Sequence, residues 1–119
     1  MRTKWHMQRE EGALTIARQL PPRFDVEVTT RMPKGRKGRL AHLIRQDLWR
    51  AMQRQRGFSP VVRVEEDGSH LLVRAGGRIL ARTFPVDYVQ NVIKGVLEHP
   101  ENRARWAANA RIEKEKDHA

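Results

Sequence analysis

The sequence predicts an α+β fold: an antiparallel β-sheet, made of an N-terminal strand and a three-strand meander, with helices packed on one face. Three observations predict it. Residues 24–30 alternate apolar and polar side chains, residues 39–56 carry apolar groups at helical spacing, and three short strand-like runs follow, punctuated by Asp-Gly and Gly-Gly pairs. Helical spacing then returns at 86–98.

Taken in order, residues 1–12 read as a flexible basic arm carrying Arg2, Lys4, Trp5, His6 and Arg9. A single domain is expected over 13–100, followed by a charged helix or tail at 101–119. Residues 13–20 suit either a short strand or two helical turns, and Pro21-Pro22 ends that segment. In the strand at 24–30, Phe24, Val26 and Val28 share one face because successive side chains alternate. Pro33, Gly35 and Gly38 make the next stretch a loop. From Arg39 to Arg56, Leu40, Leu43, Ile44, Leu48, Ala51 and Met52 recur every three or four residues and form the core side of a helix, with Gly57 as its stop. Strands are expected at 61–64, 71–74 and 78–84, joined by tight turns at Asp67-Gly68 and Gly76-Gly77. A second helix follows Pro85, with Val86, Val89, Ile93 and Val96 in a stripe that Tyr88, Val92 and Leu97 widen. A third, at 101–116, has Trp106 as its only large apolar group and runs out in alternating charge.

The chain of 119 residues suits one domain with a modest core. Apolar residues are 39% and charged residues 32%, so part of the chain, at its ends, should stand outside that core. There is no cysteine, which excludes disulfides, thiolate zinc sites and a cysteine nucleophile. No apolar run approaches the ~20 residues that span a bilayer, and the first eleven residues lack the apolar stretch of a secretion signal. A cytoplasmic protein with no membrane partner is the expectation.

A formal net charge of +10 bears on partners rather than fold. Nucleic acid is the commonest partner of a small basic domain, ahead of acidic proteins and anionic membranes. Arginine outnumbers lysine 18 to 6. Its fork matches phosphates and guanine edges, but GC-rich coding raises arginine everywhere, so position matters more than the ratio. Between residues 31 and 56, nine basic residues stand against one acid, Asp47. A concentration of this kind marks a binding footprint.

On a helical wheel, Arg39, His42, Arg45, Gln46, Arg50, Gln53, Arg54 and Arg56 lie away from the apolar side, with Trp49 among them. Like charges on one helix face repel, and an anion would relieve that repulsion. The loop 33–39 before the helix adds Lys34, Arg36 and Lys37, with glycines that let backbone approach a phosphate at the helix N-terminus. Lys34, Arg36 and Lys37 are expected to bind phosphate, Arg45, Gln46, Trp49, Arg50 and Gln53 to face groove or bases, and Arg39 and Arg54 to belong to the same nucleic-acid contact surface. DNA is favoured over RNA because an exposed basic helix is a common major-groove reader. Trp49 either stacks on an unpaired base, worth ~1–3 kcal/mol, or lies covered by the N-terminal arm or a C-terminal helix. Arg74 and Arg78, flanking the Gly76-Gly77 turn, would be a second contact point, although Arg63, Arg74, Arg78 and Arg82 read more simply as outward strand residues.

Nothing in the sequence calls for catalysis, a cofactor or a metal. His6, His42, His70, His99 and His118 show no ligand spacing, and neither a P-loop nor a nucleophile elbow is present. Two alternatives remain. One is a protein–protein adaptor for an acidic partner, with Trp5, Trp49 and Trp106 as exposed anchors and a homodimer through the second helix. The other is a small basic metal-independent ribonuclease of toxin type, using His70, Arg74 and Arg82.

Overall fold

The computed structural model describes residues 5–81 and 83–111. Strands β1 (His6–Glu10) and β2 (Ala13–Ala17) form a hairpin, followed by β3 (Val26–Pro33), helix α1 (Lys37–Ala51), strands β4 (Phe58–Asp67) and β5 (His70–Ile79), and helices α2 (Val86–Glu98) and α3 (Pro100–Ala110). The five strands make one sheet in the order β1-β2-β4-β5-β3, each pair antiparallel. The expected α+β class is therefore found.

The register explains which face is covered. Ile16 pairs with Val62 and Val62 with Ala75, while Leu14 pairs with Val64 and Val64 with Val73. These rows of buried side chains line one face and meet Leu40, Ile44 and Leu48 of α1 and Val89, Ile93 and Leu97 of α2. Strand alternation turns Gln8, Thr15, Arg63, Arg74 and Thr29 to the other face, again as one cross-strand row.

Several expectations are corrected. Part of the segment read as an arm is a strand, β1, paired with β2 from His6–Ala17 to Glu10–Ala13; Arg2 and Lys4 lie outside the described residues. The meander of three strands is a hairpin of two ten-residue strands. Only Arg78 and Ile79 of the expected third strand belong to the sheet, and Leu80 leaves it with its N–H bonded to the Gly57 carbonyl. Gly76-Gly77 is not a turn but the crowded centre of the sheet. A Cβ on Gly76 would overlap the Val26 carbonyl oxygen, and one on Gly77 the Ser59 carbonyl oxygen. Glycine there serves close approach of neighbouring strands, so Arg74 and Arg78 do not flank a turn.

Helix α1 starts two residues before Arg39 and stops at Ala51 instead of Arg56. Beyond Met52 the chain offers Gln53, Arg54, Gln55 and Arg56, with no apolar group to hold a further turn on the sheet. Ala51, expected in the core, is exposed. Trp106 is fully buried. Its Nε1 donates to Asp47 Oδ2 at 2.7 Å, and Arg105 Nη2 donates to the same oxygen at 2.7 Å. The single acid of α1 thus fastens α3 to it. The expected continuation of the third helix over 112–116 lies outside the described residues.

Candidate nucleic-acid interface

Because α1 lays its apolar side on the sheet, its opposite side is open. Arg39, Gln46, Arg50, Gln53 and Arg54 are exposed, and Trp49 is 39% exposed. Among the described residues, Lys34, Arg39, Arg45, Arg54 and Arg56 form no ion pair with a carboxylate. Arg50 is partly neutralised by Asp47, one turn back, at 3.3 Å.

The basic loop is less free than its composition suggests. The Arg36 backbone N–H donates to the Ala110 carbonyl at 2.7 Å and its guanidinium to the Asn109 carbonyl at 2.8 Å. A cation is favourable beside these last carbonyls of α3, at the negative end of its dipole. A Cβ on Gly35 would stand 2.7 Å from the Ala110 oxygen, so glycine permits this docking. Lys37 Nζ donates to Glu66 Oε2 at 2.9 Å, and that bond, more than the charge of Lys37 or of nearby Lys34, holds the Glu66 carboxyl below its ordinary range. Of the three loop cations expected to bind phosphate, two are therefore engaged within the fold, and Lys34 stays exposed.

Along the flank of α1 nearest β2, guanidinium groups lie over indole rings. Arg45 sits 4.3 Å from the Trp5 ring centre and Arg18 sits 5.0 Å from that of Trp49. The Arg45 Nε is buried without a hydrogen-bond partner, and burial pushes the guanidinium pKa down. Burial also lowers the His42 pKa, reinforced by the charges of Arg45 and Arg39. Charge is thus concentrated here at a cost the free protein bears. Arg18 was not foreseen as part of this surface. Once 13–17 is a strand, the alternation Leu14, Ile16, Arg18 points it to the helix side, and the uncertainty about that segment concealed it.

The other face of the sheet holds most of its cations in ion pairs. Arg74 makes two hydrogen bonds to Glu27, at 2.9 and 3.1 Å, which hold the Glu27 carboxyl down. Arg63 pairs with Glu10 and Glu65, Arg31 with Asp67 at 3.1 Å, and Arg23 with Asp25 at 2.9 Å. Asp25 is held low chiefly by the Arg23 hydrogen bond and then by the Ile79 N–H, with the charge of Arg78 adding to this. Of the cations on this side, Arg23, Arg31, Arg63 and Arg74 have carboxylate partners, while Arg78 has none among the described residues and its Nε is buried without a hydrogen-bond partner. On α1, Lys37 and Arg50 are paired and Arg39 and Arg45 are not.

Trp106 cannot anchor a partner, being buried, and Trp5 is half-buried against the core under Arg45. The stripe of α2 is spent inward through Val89, Ile93 and Leu97, although Val86 and Tyr88 stay exposed. Of the residues considered for hydrolysis, His70 contacts Ser69 Oγ at 3.1 Å. Arg74 lies four positions along the same strand, about 13 Å away at the strand rise, and Arg82 lies outside the described residues. Among the described residues no group of three or more histidines and carboxylates is placed to hold a metal, and no helix is long and apolar enough to cross a membrane. No family model matches the chain, and no curated protein or solved structure shows significant similarity to it.

Proposed function

We propose that the protein binds nucleic acid on the outward side of α1, with backbone phosphates supplying the counterions that the fold withholds there. One observation carries this: Arg39 and Arg45 on α1 and Lys34, Arg54 and Arg56 beside its ends have no carboxylate partner among the described residues, whereas across the sheet Arg23, Arg31, Arg63 and Arg74 each have one and Arg78 does not. Helix α1 has 15 residues, hence a length of about 22 Å. A nucleic-acid strand lying along it at a duplex-like spacing of ~3.4 Å presents about six phosphates, with Arg39 and Arg45 beside them and Lys34, Arg54 and Arg56 beyond the helix ends. Phosphate contacts fix position and carry no sequence information. Gln46, Arg50 and Gln53 project from the same side and would meet base edges. This is a binding role that needs no catalytic step, and a cytoplasmic one.

The test is a fluorescence-anisotropy titration with labelled duplex DNA, single-stranded DNA, duplex RNA and polyglutamate at several salt concentrations. Binding to a nucleic acid well ahead of polyglutamate, with log affinity falling linearly against log salt, supports the proposal. Weak and uniform binding to all four polyanions overturns it in favour of an acidic protein partner.

A further inference from the structure

At the C-terminal end of α1, a cleft of about 390 Å³ opens between the turn 52–57 and the end of β2. Ligand cavities begin at roughly 300 Å³, so it has room for one flat heterocycle. Trp49 forms one wall, with the Arg18 guanidinium stacked 5.0 Å from its ring centre. Gln19, Gln53 and Gln55 bring three side-chain amides to the opening, and Arg56 a cation without a carboxylate partner among the described residues. No acid lines it.

We propose that this cleft receives one unpaired base of a single-stranded nucleic acid whose phosphates run along α1. This rests on the proposed nucleic-acid function and adds the state of the strand. Three chemical features converge. An indole and a guanidinium offer planar surfaces to any base, and stacking of that kind tolerates sequence. An amide carries both donors and acceptors, so it complements the edge of any base. A base inside a duplex has its edge and both faces occupied, and cannot enter a cleft of this size without being extruded, which costs a few kcal/mol.

Two further clefts among the described residues are unlike it. A cleft of about 430 Å³ on the outer sheet face is lined by Arg63 and Arg74 but also by Glu10 and Glu65, whose charges cancel them. The space between α1 and α2, near Tyr88 and Val92, is about 80 Å³, too small for a base. Of these three, the cleft at Trp49 combines room for a base with an aromatic wall and no acid in its lining, and it meets the face of α1 through Trp49 and Gln53.

The experiment compares four labelled ligands by anisotropy on the full chain: a 12-nucleotide oligothymidylate, an oligouridylate of that length, an abasic sugar–phosphate strand of the same length, and a blunt 12-base-pair DNA duplex. Wild type, Trp49→Ala and Gln53→Ala are titrated in parallel. Both changes are at exposed positions, and circular dichroism checks that each variant folds. The base-bearing single strands should bind about tenfold tighter than the abasic strand, and Trp49→Ala should remove most of that gap while leaving the abasic and duplex affinities unchanged. A difference between oligothymidylate and oligouridylate tells whether the strand is DNA or RNA, and either supports the proposal. Equal affinity for the base-bearing and abasic strands overturns it and leaves the phosphate-binding function standing. If all four ligands fail to bind, the nucleic-acid function falls with it.

Discussion

The two-sided distribution of charge makes a quantitative prediction. Consider Lys34, Arg39 and Arg54, all exposed on the α1 side and without carboxylate partners among the described residues. Changing the three to alanine removes three phosphate contacts, and the slope of log affinity against log salt on duplex DNA should fall in magnitude by about 2.7, at about 0.9 per contact. Between 50 and 200 mM salt, the gap between wild type and variant should then narrow about 40-fold. The control removes the same net charge from the other face, through Arg23, Arg31 and Arg74, which pair with Asp25, Asp67 and Glu27 at 2.9, 3.1 and 2.9 Å. The molecule is 28 Å across its shortest axis, about two Debye lengths at 50 mM salt and about four at 200 mM. A ligand on α1 should hardly sense the change, and the slope should stay within error of wild type. Exposed ion pairs contribute about 0–1 kcal/mol each, so both triple variants should remain folded by circular dichroism. Equal flattening of the slope by both variants would refute the placement of the site, because affinity would then follow net charge alone.

Three further outcomes are expected. Asp47→Ala strands the buried Trp106 Nε1–H and should lower stability by about 2–3 kcal/mol in urea unfolding, whereas Asp47→Asn keeps an acceptor and should cost about 1 kcal/mol; equal losses would mean that charge rather than the hydrogen bond fastens α3. Gly76→Ala must push the Val26 carbonyl aside and should cost about 2–4 kcal/mol, so a melting temperature unchanged from wild type would contradict the strand packing described. His42 is held neutral by burial and by Arg45 and Arg39, so its folded-state pKa lies below the unfolded value near 6.5. Its stabilising effect is complete above that pH and is lost as pH falls toward the folded pKa. A bound phosphate offsets the two arginines and lets His42 take up a proton, so affinity should rise below about pH 6.5 in wild type and stay level in His42→Gln, as read by titrations from pH 5.5 to 8.

The elements most legible in the sequence were those with strong periodicity. Leu40, Ile44 and Leu48 marked α1, and Val89, Ile93 and Leu97 marked α2, since burial on one side of a helix leaves a 3.6-residue signature. Asp67-Gly68 marked the hairpin, with Gly68 at φ +62°. Gly76-Gly77 misled because a glycine pair carries the same local signal whether it makes a turn or admits a neighbouring strand, and only the presence of β3 and β4 on either side distinguishes the two. For the site, Arg39, Gln46, Trp49 and Arg50 are exposed on α1 as the wheel indicated, while Gln53 and Arg54 are exposed in the turn beyond its end. Arg36 and Lys37 met partners 73 and 29 residues away, which no local pattern announces.

The sequence by itself determined the α+β class, the helix with its basic outer side, and the crowding of positive charge between residues 31 and 56. These follow from composition and short-range spacing, which act within one element. The tertiary structure decided which charges are cancelled. It set Glu27 against Arg74, Glu10 against Arg63 and Glu66 against Lys37, drew Trp106 into the core onto Asp47, and brought Arg18 over Trp49 to wall a cleft. The physical reason is range. Periodicity is fixed by the geometry of one backbone segment, whereas ion pairing and burial depend on which distant segments the register and packing bring within a few ångströms.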